Sequence, residues 1–176
     1  MQNQSSSEGM AALLRLGAAL FIWTAASASP SAGGDACKLL TATPVSAALG
    51  VPVDEGAYSL PGHTEFCVWR EHGASQAEAQ NVQVNLLTAS QYQAAKAGPY
   101  AKGLESGVGE EAYWAYTPGI GFTLSVKASS SYFRVQSRPI PHGMARKSDT
   151  PADKAKWDEK TKTVERTIAL EALKKL

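Results

Sequence analysis

Three stretches of this chain alternate apolar and polar side chains with a period of two, and that pattern constrains the fold more than any other feature. Val82, Val84 and Leu86 alternate with Gln83 and Asn85; Phe122, Leu124 and Val126 alternate with Thr123 and Ser125; Tyr132-Phe133-Arg134-Val135-Gln136 repeats the theme. Successive side chains of a strand point to opposite faces, so each stretch predicts a half-buried strand. Phe66-Cys67-Val68-Trp69-Arg70 and Ala112-Tyr113-Trp114-Ala115-Tyr116 are β-prone and add two more. Pro118-Gly119 suits the central positions of a type II turn, and Ser129-Ser130-Ser131 marks a hairpin turn. Antiparallel strands joined by short turns form a meander, and its apolar face needs a cover.

Helices are the natural cover. Thr43 to Gly50 predicts a short helix, with Thr43 as cap, Pro44 in the first turn and Gly50 as a left-handed stop. Leu39, Leu40, Val45 and Leu49 supply its buried side. The polar stretch from Glu71 to Gln80 predicts a loop, and Ser90 to Lys96 a second short helix closed by Gly98-Pro99. A long C-terminal helix is expected over about residues 151–175. Thr150-Pro151-Ala152-Asp153 resembles a capping box, and Trp157, Thr161, Val164, Ile168, Ala172 and Leu176 form an apolar stripe. Its charged first turns (Lys154, Lys156, Asp158, Glu159, Lys160) have the composition of a solvated stalk. A Pro/Gly loop over 139–149 precedes it and carries Arg146 and Lys147. The fold class is therefore α+β: one antiparallel meander, two short helices, a long C-terminal helix and one disulfide, all in a single domain over residues 36–176.

The N-terminal segment speaks to compartment. Arg15 precedes the apolar run Leu16–Trp23, and Ala26-Ser27-Ala28 follows, the layout of a secretory signal peptide over residues 1–28 with either Met1 or Met10 as the start. The run is shorter than the roughly 20 residues that span a bilayer, so no transmembrane segment is expected in the mature chain. Residues 29–35 have linker composition. Gly34-Asp35-Ala36 before Cys37 is unlike a lipobox, which argues against a lipoprotein. Cys37 and Cys67 form an even pair in an exported chain and predict a disulfide tying the entrance of the first helix to the sheet. The expected location is periplasmic or secreted.

Charge and motif spacing exclude several functions. The chain has 17 basic and 16 acidic side chains, whereas a nucleic-acid binder concentrates basic charge on one face. His63, His72 and His142 have no metal-site spacing, although His63 and Glu65 share a strand face. There is no G-x-S-x-G elbow, and Gly107-Val108-Gly109 is followed by acids rather than the lysine of a phosphate loop. No cofactor is expected.

The segment Gly107-Val108-Gly109-Glu110-Glu111-Ala112-Tyr113-Trp114 holds the candidate site residues: Glu110, Glu111, Tyr113, Trp114 and, just beyond, Tyr116. Adjacent strand residues point to opposite faces, so Glu110 and Glu111 cannot both meet one substrate if the strand starts there. The two glycines permit a turn, and Ala112, Trp114 and Tyr116 share one face while Tyr113 and Ala115 share the other. Aromatic faces offer contact area to a ligand at low entropy cost, with core packing as the competing use.

The ordered set "DACKLLTATPVSAALG", "CVW", "GVGEEAYW", "LSVK" and "ALEALKKL" resembles a broad group of small exported bacterial domains of unknown function. The resemblance spans most of residues 35–176. It implies a Cys37–Cys67 disulfide and an antiparallel sheet flanked by helices, similar to the PsbP-like fold, and it implies no catalytic residues. The charged start of the last helix and the Pro-rich 139–141 stretch depart from it. The sequence thus points to a non-enzymatic binding or accessory module of the cell envelope, with an envelope protein or a small ligand as partner. The alternatives are an enzyme, hydrolase-like, whose site assembles only in three dimensions, and a structural or inhibitor protein using one sheet face.

Overall fold

The computed structural model describes residues 33–139 and 150–176. The expected signal peptide over 1–28, most of the expected linker, His142 and nearly all of the 139–149 stretch lie outside the described residues. A 3-10 turn (Ala36–Lys38) leads into α1 (Ala42–Leu49), followed by β1 (Ala57–Tyr58), β2 (Phe66–Arg70) and β3 (Asn81–Leu87). After α2 (Ala89–Lys96) come β4 (Ala101–Glu105), β5 (Glu111–Thr117), β6 (Gly121–Ala128) and β7 (Ser131–Arg138), and α3 (Pro151–Leu173) ends the chain. The seven strands form one antiparallel sheet in the order β1-β2-β3-β7-β6-β5-β4. The α+β architecture and the Cys37–Cys67 disulfide are as expected.

The predicted alternation decides which layer each residue joins. Val82, Val84, Leu124, Val126, Phe133 and Val135 are all buried on one face, and there they meet Val164, Ile168, Ala169 and Ala172 of α3 together with Leu39, Leu40, Val45 and Leu49 around α1. The helix α3 crosses β6 and β7 and packs on α1. The opposite face has a smaller cluster, Leu87, Tyr92, Tyr113 and Ala115, under α2.

Local signals behave as their physics demands, with three shifts. The Pro118-Gly119 turn is present: Ile120 N–H donates to Thr117 O at 3.0 Å, and Gly119 has φ +82°. Capping boxes close α2 at Thr88/Gln91 and α3 at Thr150/Asp153. The first shift is at α1, which starts at Ala42 with Thr41 at the N-cap, without a side-chain cap hydrogen bond. Pro44 therefore sits third in the helix, where a missing N–H costs nothing because the first four have no intrahelical partner. The second is at the C-terminus, where α3 ends at Leu173 and Leu176 is half exposed instead of completing the stripe. The third is the pair of edge strands, β1 and β4, whose exposed residues have no alternation to announce them.

Candidate functional site

Strand β5 grows out of the Gly107–Glu110 turn. Gly107 and Gly109 have φ +72° and +62°. A Cβ on Gly109 would lie 2.5 Å from Lys127 O, so only glycine lets the turn close against β6. Val108 is buried, and Glu110 N–H donates to Lys127 O at 2.9 Å.

The alternation reading took the strand to start at Glu110, and it starts one residue later. The strand begins at Glu111, so Glu110 lies in the bend, outside the pleat, and its carboxylate turns onto Lys127 at 3.0 Å. Lys127 is also the residue paired opposite Glu111 across the β5–β6 ladder. Glu111 itself accepts from Lys96 of α2 and, at 3.0 Å, from the Tyr92 hydroxyl. The Lys127 ammonium holds the Glu110 carboxyl below its ordinary pKa, and the Lys96 hydrogen bond does the same for Glu111. Burial, reinforced by Glu111, pushes the Tyr92 phenol well up. This constellation joins α2 to the start of β5 with two ionised acids, each matched to a lysine.

The three candidate aromatics separate by face, as alternation requires. Tyr113 is buried under α2, edge-on to Tyr92 at 5.2 Å, and its hydroxyl donates to Tyr92 O at 3.4 Å. Trp114 and Tyr116 lie on the α3 side. The Trp114 indole N–H donates to Glu105 Oε2 at 2.8 Å, and Arg166 of α3 donates to Glu105 Oε1 at 3.0 Å. That network fixes the Trp114 ring between β4 and α3.

On this side a groove of about 490 Å³ opens. It exists because α3 rests on β6 and β7, and because Gly103 of the edge strand β4 has no side chain to close it; a Cβ there would meet nothing within 4 Å. The floor is Trp114, Tyr116 and Phe122, with Phe122 edge-on to both other rings at 6.3 and 5.0 Å. The helix wall is Lys154, Asp158 and Lys162, one helical turn apart in succession, and Lys102 faces them from β4. Lys154 lies 5.2 Å from the Tyr116 ring centre and donates to its hydroxyl at 3.1 Å, while Lys162 sits 4.5 Å from the centre of Phe122. Lys162 is also paired with Glu159 at 2.9 Å.

Of the candidate aromatics, Tyr116 and the largely buried Trp114 line the groove, while Phe122, Gly103 and the lysines were not among the candidates. The spacing of Lys154, Asp158 and Lys162 was the available signal, and it also describes a solvated helix face. Glu110, Glu111 and Tyr113 do not line the groove. His63 bonds Glu65 at 2.7 Å and His72 bonds Asp54, and among the described residues no three His, Cys, Asp or Glu side chains cluster as metal ligands.

Comparison of the chain with protein-family models, with curated proteins and with solved structures found no match.

Proposed function

We propose that this protein is a non-enzymatic binding module of the cell envelope, and that its ligand is an anion with an aromatic or branched apolar body held in the α3–β5 groove. The observation that carries this reading is the pairing of an aromatic floor with three lysines, Lys154 and Lys162 on the helix wall and Lys102 opposite, against Asp158 in the groove and the Glu159 partner of Lys162. A concave, largely apolar site with a few converging polar groups is the usual form of a small-ligand site. The ring faces of Tyr116 and Phe122 already hold lysine ammonium groups, so a cationic ligand would have to displace them. An anion completes the arrangement.

Two observations support the remaining parts. A disulfide in the core argues for an oxidising compartment, in keeping with the signal-peptide pattern and the motif resemblance. Against the enzyme alternative, Glu110 and Glu111 are each held ionised by a lysine partner, which leaves neither poised to exchange a proton near neutral pH.

Calorimetric titration with 3-phenylpropionate and with uncharged 3-phenylpropan-1-ol tests the reading. The carboxylate is expected to bind severalfold more tightly, with the difference lost in K154Q/K162Q. Equal binding of the two compounds, or none of either, would overturn it.

A further inference from the structure

The opposite face of the sheet carries a second, independent feature. The four contiguous strands β2, β3, β7 and β6 contain Arg70, Arg134, Arg138 and Lys127 and not one aspartate or glutamate. Strand register puts all four cations on the face away from α3. Arg70, Asn81 and Arg138 lie side by side in one row, Val68, Gln83 and Gln136 in the next, and Phe66, Asn85, Arg134 and Ser125 in the one after. Helix α2 covers the end of this face where Leu87 and Tyr132 meet Tyr92, and its cluster extends over Tyr113 and Ala115 of β5, so Ser125 beside Tyr113 is buried while Arg70, Gln83, Asn85, Arg134, Gln136 and Arg138 keep solvent exposure.

Lys127 is taken by Glu110. The three arginines enter no ion pair among the described residues. Arg134 donates through Nε to Ser125 Oγ at 3.1 Å, which braces the guanidinium against the neighbouring strand. Asp54 and Glu71 share a shallow hollow with Arg70 without forming an ion pair to it. Arg134 and Arg138 are four residues apart on β7, roughly 13 Å, and Arg70 is two strands from Arg138, roughly 10 Å.

We propose that this arginine–amide face docks an acidic polysaccharide. Cations spread over such distances match anions repeated along a chain rather than one small anion, and arginine is the side chain best shaped for a carboxylate. The ground between them is amide, Gln83, Gln136 and Asn85, each partly exposed, which suits sugar hydroxyls. A protein partner would instead want apolar or aromatic anchors at the centre of its footprint, whereas here Val68 is buried and the half-buried Phe66 lies to one side, on β2. Three arginines on a chain of net charge +1 also fall short of the concentrated charge that nucleic acid demands.

The test is amide chemical-shift mapping of the full, oxidised chain with tetragalacturonate at low salt, beside neutral cellotetraose and hexaglutamate. Tetragalacturonate is expected to shift β2, β3 and β7 signals and to weaken with added salt. R134Q/R138Q should bind about tenfold or more weakly, with its thermal midpoint measured to establish folding. If the variant does not fold, the mapped footprint on the unsubstituted protein decides. The proposal is overturned by no binding at millimolar tetragalacturonate, by a footprint elsewhere, by equal affinity in the variant, by equal binding of cellotetraose, or by tighter binding of hexaglutamate, which would mark the face as a protein-docking surface.

Discussion

Reducing the disulfide is the perturbation whose cost follows most simply from the structure. Cys37 sits in the 3-10 turn, Cys67 is fully buried in β2, and 30 positions separate them. A cross-link over a loop of that length restricts the unfolded chain by roughly 3–4 kcal/mol in the chain-entropy model. The reduced protein keeps both sulfur atoms, so the comparison isolates the cross-link from the packing of Cys67. What still anchors the N-terminal turn after reduction is modest. Asp35 accepts from the Tyr58 hydroxyl at 2.9 Å and from Cys37 N–H at 3.1 Å, and Ala36 N–H donates to Thr64 O at 2.8 Å. For a domain of this size the loss corresponds to a fall of about 10–15 °C in thermal midpoint. Melting curves followed by circular dichroism, with and without dithiothreitol, measure it directly. Midpoints within about 2 °C of each other would refute the entropic reasoning.

Three further outcomes are expected. Glu165 is fully buried, accepts from Ser137 N–H at 2.8 Å, and has one oxygen with no partner, so burial holds its carboxyl well above the usual range. The folded state must therefore keep a proton there that the unfolded state releases. Its stability is fully present below the pKa of an unfolded glutamate and declines by up to about 1.4 kcal/mol per pH unit as pH rises toward the folded value. E165Q removes that slope, so urea denaturation from pH 5 to 8 should show the variant gaining on the parent; parallel curves would contradict this. G109A forces a Cβ into Lys127 O at positive φ and should cost about 2–3 kcal/mol or more in denaturant unfolding, and a change below 0.5 kcal/mol on the general surface-substitution scale, roughly noise, would show that the turn relaxes freely. Glu110 and Glu111 have lowered pKa values, so their contribution is present above the unfolded carboxylate range and lost as pH falls through the folded values. E110Q/E111Q should flatten the acid limb of the stability curve, an effect read by thermal melts from pH 3 to 6 and absent if the lysine pairs do not form in solution.

The fold was legible where one residue's environment follows from its immediate neighbours. Alternation gave the faces of β3, β5, β6 and β7 because a pleated strand has only two sides, and Thr150, Asp153 and Gly50 announced helix ends through local hydrogen bonding and backbone geometry. Edge strand β4 was not legible, since the exposed Lys102, Gly103 and Leu104 need no apolar pattern. The start of β5 was not legible, since whether Glu110 joins the pleat or the bend depends on the turn at Gly109. The groove was hidden for a related reason. It depends on where α3 crosses the sheet, a tertiary choice that brings Lys154 and Lys162 onto rings about 40 positions earlier in the chain.

The Trp114 indole N–H reports most directly on ligand in the groove, because its ring forms part of the groove floor and its hydrogen goes to Glu105. Following its NMR signal during titration with 3-phenylpropionate, in the unsubstituted protein and in K154Q/K162Q, tests whether the groove is a binding site. A saturable shift of that signal together with Tyr116 and Phe122 amides is expected, weakened severalfold by the double substitution. A signal that stays fixed while the ligand perturbs other parts of the protein, or nothing at all, would contradict it.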